Sequence, residues 1–189
     1  MDINEQKAQL RIQLKKIRAD VTPIDRREQE REIHRSFLNL PCYREADAVL
    51  CYYSIGSEAD THTLIKKMLT DGKTVYLPRC VPNTCNLEFY AVTDLDKLQP
   101  GRFPVPEPEP KPEHRFVSAE HPVCVLPALG FDMYGFRLGY GKGCYDRFLA
   151  GFSGVTAGIT FHRCVLQNIP HASHDLPCDI VITEHSPLE

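Results

Sequence analysis

Three glycines alternate in the segment Arg137-Leu138-Gly139-Tyr140-Gly141-Lys142-Gly143-Cys144-Tyr145-Asp146, with one basic residue before them and another among them. That composition suits a phosphate. Phosphate oxygens are held by converging backbone N–H groups, and glycine lets the chain turn with positive φ and approach the ligand closely. A helix expected to start at Cys144 adds free amide donors and a favourable dipole. Lys142 and Arg137 supply full positive charges. The segment is not a Walker loop, which needs Gly at 136 and Ser or Thr at 143, where the chain has Phe136 and Gly143. Nor is it the dinucleotide fingerprint, because its third glycine comes one residue too early. By spacing alone it is either a phosphate cradle or a glycine-rich surface turn. Asp146 bears on the choice. In a first helical turn it is either ordinary capping chemistry or, beside bound phosphate, the ligand of a hard cation such as Mg2+ that bridges the two.

The elements that must position this segment can be read from hydrophobic periodicity. Leu10, Leu14 and Ile17 recur at helical spacing and predict a helix over residues 4–20, with Lys7 and Arg11 one turn apart on it. Thr22-Pro23-Ile24-Asp25 is a helix start, and the helix it opens runs to about Asn39 with Ile33, Phe37 and Leu40 as apolar contacts. Residues 48–53 are a continuous apolar run suited to a buried strand. A helix over 61–70 follows, ended at Gly72, and then a strand over 74–77 stopped by Pro78. Strand–helix–strand order argues for a parallel sheet and an α/β class. Further strands are expected at Leu87–Val92, Val123–Leu126, 154–159 and 179–183, and a helix over 144–150. Pro104, Pro106, Pro108, Pro110 and Pro112 make residues 99–113 a stiff extended connection, not expected to join a sheet.

Bulk properties exclude several classes. The 189 residues suit one domain, and 42% hydrophobic with 25% charged residues is ordinary globular composition. A net charge of -3 speaks against a nucleic-acid partner. No run approaches the ~18 apolar residues that span a bilayer, and the polar N-terminus lacks an apolar signal region, so no membrane partner is expected and a cytoplasmic setting is. The eight cysteines include no Cys-x-x-Cys pair and read as free thiols acting as small core hydrophobes. His171-x-x-His174 reads as a loop rather than a metal site, and His162 has no assigned role.

From Pro127-Ala128-Leu129-Gly130-Phe131-Asp132 through Gly135 to Asp146 the chain closely resembles the 5-formyltetrahydrofolate cyclo-ligase family. The resemblance runs along nearly the whole chain, through Lys7-x-x-Leu10-Arg11, Ser54 to Glu58, Leu77-Pro78-Arg79 and Glu107-Pro108. It implies a single domain over residues 1–189, with a mostly parallel sheet flanked by helices and a fold resembling the NagB/RpiA/CoA-transferase-like group. It implies ATP- and Mg2+-dependent conversion of 5-formyltetrahydrofolate to 5,10-methenyltetrahydrofolate, releasing ADP and phosphate, through phosphorylation of the formyl oxygen. ATP is then expected at Lys7, Arg11, Arg137, Leu138, Gly139, Tyr140, Gly141, Lys142, Gly143, Cys144 and Tyr145. The folate is expected at Tyr53, Glu58, Tyr140, Gly141, Lys142, Gly143 and Cys144, and Mg2+ at Asp146 and Asp179. Lys142 and Arg137 are the expected catalytic residues, in a monomer. Without the resemblance, Lys7 and Arg11 read as a solvated basic face, Glu58 as a loop carboxylate, Tyr53 as a core aromatic and Asp179 as a turn residue before a strand. The chain departs from the family pattern at Cys144, where an aromatic residue is common, and at Tyr140, a variable position. Three other readings are an RNA-binding protein using the basic first helix, against which the acidic balance speaks, a different ATP-dependent phosphotransferase or ligase, and a non-catalytic nucleotide-binding module. Lys142, Asp146 and Asp179 together argue against the last.

Overall fold

The computed structural model describes residues 2–101, 105–185 and 187–188. Pro104, one of the alternating prolines, lies outside them. The elements run α1 (Ile3–Ala19), α2 (Pro23–Asn39), α3 (Pro41–Glu45), β1 (Ala48–Cys51), α4 (His62–Thr70), β2 (Thr74–Cys80), β3 (Leu87–Val92), β4 (Gln99–Pro100), β5 (Pro106–Glu107), β6 (Pro122–Leu126), β7 (Gly130–Asp132), β8 (Arg137–Leu138), α5 (Cys144–Leu149), β9 (Val155–Ile159), β10 (Val165–Leu166), β11 (Ile180–Ile182) and β12 (Pro187–Leu188).

Seven strands form the main sheet in the order β12-β11-β9-β6-β1-β2-β3. The five inner strands are parallel, and the two edge strands run antiparallel to their neighbours. Central β1 and β6 are buried along their whole length, which is why both read as continuous rather than alternating apolar runs. Helices α1, α2 and α4 bring Leu14, Ile33, Phe37, Leu64, Ile65 and Met68, all fully buried, to one hydrophobic cluster. A second cluster lies around Leu50, Phe89, Cys124, Leu126 and Phe131, with Phe148 of α5 packed on it. All eight cysteines are free thiols.

Helices α2 and α5 start where the sequence placed them, α1 and α4 within one residue, and the short α3 was not anticipated. The Thr22 hydroxyl accepts the Asp25 amide at 3.2 Å, with Pro23 at the first helical position. Two expectations are corrected. Pro78 does not stop β2, which continues to Cys80. Pairing with β1 ends at Tyr76, so beyond it β2 pairs with β3 and the missing proline donor leaves no gap on the β1 side. The Pro-rich segment does enter a ladder: Gln99 pairs with Glu107 and Pro100 with Pro106, closed by the Gly101 amide donating to Val105 O at 3.1 Å. It is a separate two-stranded ribbon, so its prolines interrupt nothing in the main sheet.

The hairpin β7–β8 carries the glycine segment. Fully buried Asp132 ties it together. Its Oδ1 accepts the amides of Tyr134 and Phe136 at 2.9 Å, and its Oδ2 accepts the Ile169 amide at 2.8 Å. Gly135 turns the hairpin at φ 85, and a Cβ there would lie 2.3 Å from the Cys178 carbonyl oxygen, so no larger residue fits.

Candidate active site

One face of α1 lies along the glycine segment. Lys7, Arg11, Leu14 and Arg18 fall at i, i+4, i+7 and i+11, a single helical stripe. Leu14 anchors the stripe in the core. The three basic residues hold the surrounding loops. Arg11 Nε donates to Gly139 O at 2.9 Å. Gly141, at φ 91, rests against the Arg11 guanidinium, where a Cβ would be 3.2 Å from Nη2. Lys7 pairs with Asp175 at 2.7 Å, so a phosphate drawing on Lys7 would compete with that carboxylate.

Arg18, which sequence reasoning passed over, is the most connected member. It is 4% exposed. Its guanidinium donates to Ala128 O at 3.0 Å, to Ser57 Oγ at 3.0 and 3.1 Å, and to the Tyr140 hydroxyl at 3.1 Å. One planar fork thus joins the glycine loop to the turns after β1 and β6, which lie at the C-terminal ends of two parallel strands, where open α/β sheets place ligands. Its spacing from Lys7 and Arg11 was the available signal.

Glu58 joins the same cluster. It is buried, accepts the Ile55 amide at 2.9 Å, and shares a hydrogen bond with Tyr140. Burial raises its pKa above 4.5, against the lowering effects of the Ile55 amide, Arg18 and Tyr140. A folded pKa above the unfolded one means that the native state binds the proton more tightly. Glu58 therefore favours folding at low pH, and that contribution is lost as pH rises from about 4.5 through the folded value. Glu58→Gln is expected to remove this fall, so that the stability difference between variant and parent grows in the variant's favour across the window. Thermal melts from pH 4 to 7 check it, and an identical pH profile in the two proteins contradicts it. Tyr53, also an expected folate contact, stacks on His62 with ring centroids 4.0 Å apart.

The loop itself ends in α5. Gly143 takes the left-handed conformation at φ 64 just before the helix. Lys142 is exposed, and its carbonyl accepts Arg147 Nη1 at 2.9 Å. Arg137 differs: its side chain is 6% exposed and donates to Leu176 O at 2.9 Å and to Asp146. Leu138 is buried beneath the loop. The Tyr145 hydroxyl is buried and has no hydrogen-bond partner among the described residues, and burial lifts its pKa well above the ordinary value.

Asp146 and Asp179 have separate partners. Asp146 pairs with Arg137 in the first turn of α5. Asp179 precedes β11, and its Oδ2 accepts the Thr156 amide and hydroxyl, each at 2.7 Å, clasping the starts of β9 and β11. Among the described residues no three His, Cys, Asp or Glu side chains gather as a metal site. That includes His171, which stacks on Phe136 at 3.7 Å, and His162, which meets His185 at 4.6 Å. Among the described residues no helix is long and apolar enough to cross a membrane.

Comparison with known proteins places the chain in a family and a fold. The chain is 29% identical over 183 residues to the 5-formyltetrahydrofolate cyclo-ligase of Haemophilus influenzae, covering 94% of this chain and 98% of that one. It is 30% identical over 170 residues to the Escherichia coli K12 protein of the same name, covering 88% and 93%. The solved 5,10-methenyltetrahydrofolate synthetase of Aquifex aeolicus superposes with a TM-score of 0.79 at 28% identity, covering 96% of this chain and 91% of that one. The Mycoplasma pneumoniae 5,10-methenyltetrahydrofolate synthetase, at 19% identity and a TM-score of 0.69, shares the fold. The family model for 5-formyltetrahydrofolate cyclo-ligases matches residues 3–184, so this α/β chain belongs to the 5-formyltetrahydrofolate cyclo-ligase family.

Proposed function

We propose that the protein closes the one-carbon bridge of 5-formyltetrahydrofolate to give 5,10-methenyltetrahydrofolate, spending one ATP. The observation that carries this reading is the glycine loop held against the basic stripe of α1 with Lys142 left exposed. The formyl oxygen is a poor leaving group. Transfer of the γ-phosphoryl to that oxygen makes it a phosphate ester, the neighbouring nitrogen attacks the formyl carbon, and inorganic phosphate departs. Such transfer needs positioning and charge neutralisation rather than a protein nucleophile. Lys142 meets the charge on the transferring phosphoryl group. Lys7 and Arg11 hold the nucleotide phosphates, joined by amides of Gly139 to Cys144. Arg137 contributes N–H groups beyond those bound to Leu176 and Asp146. Glu58 and Tyr140 line the folate side, with Tyr53 at its edge, and the buried Tyr145 hydroxyl is a donor waiting for an acceptor. The chain acts as one domain and a monomer in the cytoplasm, and its parallel order β11-β9-β6-β1-β2 supports the NagB/RpiA/CoA-transferase-like arrangement.

The test is direct. Protein mixed with 5-formyltetrahydrofolate, ATP and Mg2+ is expected to generate the near-ultraviolet absorbance of the methenyl product. ATP binding without product would overturn the reading and leave another phosphotransferase in its place.

Mg2+ would neutralise phosphate charge when bound. Asp146 suits it, as a part-exposed carboxylate beside the loop, because Mg2+ commonly takes one or two carboxylates plus phosphate oxygens. Asp179 must first leave Thr156. Asp146→Asn is therefore expected to raise the Mg2+ concentration needed for half-maximal rate by roughly 10-fold or more. Asp179→Asn is expected to lower the melting temperature and leave that requirement within about twofold. An equal rise in both variants would put Asp179 in the metal site.

A further inference from the structure

Three thiols meet at the start of α5. The first turn of this helix packs on β3, with Tyr145 and Phe89 ring centroids 6.4 Å apart and Phe148 and Phe89 4.5 Å apart. That packing brings the β2–β3 turn beside the glycine loop. Cys85 lies in the turn, two residues before β3, and Cys144 is the first residue of α5. Cys144 shares a hydrogen bond with the Cys85 thiol, and Cys80, at the end of β2, lies within electrostatic reach of it. All three are half-buried and none is in a disulfide.

We infer that Cys85 and Cys144 form a thiol–disulfide modification site that closes over the phosphate loop and switches off nucleotide use. The two thiols interact across the β2–β3 turn and the start of α5, and a bridge requires their Cα atoms to come within about 7 Å. The oxidant is a low-molecular-weight disulfide such as oxidised glutathione. One protein thiol attacks it to form a mixed disulfide and release one thiol molecule, and the second protein thiol displaces the other. The protein loses two protons and two electrons, which reduce the small disulfide to two thiols; one S–S bond forms and one breaks. The bridge would tie the amide donors at the start of α5 to the hairpin turn. The loop that must wrap the phosphates would then be held at its helix end, and small misplacements of such a loop are costly.

The assignment of nucleotide to this loop rests on the function proposed above, so the experiment reads the bridge and its consequence separately. Full-length protein is incubated with oxidised glutathione, digested under non-reducing conditions and mapped by mass spectrometry. ATP affinity is measured by calorimetry before and after oxidation, and again after dithiothreitol. A linked Cys85–Cys144 peptide pair is expected, with ATP binding weakened about tenfold or more and restored by reduction. Cys85→Ser is expected to bind ATP like the parent and to hold that affinity within about twofold on oxidation, while Cys80→Ser still responds. Glutathione adducts without the linked pair, or a Cys80 linkage instead, would overturn the site. A linked pair with unchanged ATP affinity would overturn the switch. If reduced protein binds no ATP at all, the proposed function fails while the peptide map still decides the bridge.

Discussion

Lys142→Ala is expected to lower kcat/KM by on the order of 10²–10³ while moving the melting temperature by no more than about 2 °C. The asymmetry follows from where the charge sits. The side chain is exposed at the tip of the loop, and the contact that Lys142 makes within the fold uses its carbonyl, which any residue supplies. Folding therefore does not depend on the ammonium, whereas phosphoryl transfer needs positive charge beside oxygens that gain negative charge in the transition state. If the loss falls in kcat, the ammonium acts mainly in the transition state. If it falls in KM alone, it binds ground and transition states alike. Lys142→Arg is expected to recover part of the rate, since charge is kept but its geometry changes. Steady-state kinetics beside thermal melts decide the matter. A fall in melting temperature that accounts for the lost activity would remove Lys142 from the chemistry.

Arg18→Met carries the opposite expectation, a loss of about 3 kcal/mol in folding stability. Methionine keeps the stem and deletes the fork. The Ala128 carbonyl, the Ser57 hydroxyl and the Tyr140 hydroxyl then lose a charged donor, and Glu58 loses the buried positive charge that offsets its own. Arg18→Lys should not rescue it, because a single ammonium cannot reach three acceptors in different directions. Pairing Arg18→Met with Glu58→Gln should cost less than the sum of the two single changes, as residues in one network do. Urea denaturation of the four proteins gives the cycle. Strict additivity, or a loss below about 1 kcal/mol for Arg18→Met, would show that the guanidinium does not anchor the site. The substitutions at Lys142 and Arg18 test separately a group proposed to serve chemistry and one that holds the loop in position.

Much of the architecture was legible because local rules and the fold agree. The periodicity of Leu10, Leu14 and Ile17 and the Thr22-Pro23 start set α1 and α2 to within a residue or two. The apolar runs at 48–53 and 123–126 marked the two strands that lie at the centre of the sheet. Where the reading failed, the deciding contact was distant. Pro78 looked like a strand breaker because its neighbours in sequence do not show that β1 ends beside Tyr76. The Pro-rich segment looked unable to pair because its own partner, eight residues away, is also Pro-rich. Arg18 was passed over because a lone arginine late in an amphipathic helix has no local mark of burial.

The amino-acid sequence by itself determined the chemistry on offer: a glycine loop able to approach phosphate, basic residues on a helical stripe, and a motif specific enough to name the family. Backbone freedom and charge are properties of residue types, so spacing alone carries them. Only the tertiary structure decided which charges stand free and which are spent on holding the loop. Lys142 is exposed, while Arg137, Arg18 and Asp179 are bound to Asp146, Tyr140 and Thr156. A side chain's availability depends on which distant acceptors the packed sheet and α1 bring within hydrogen-bond reach.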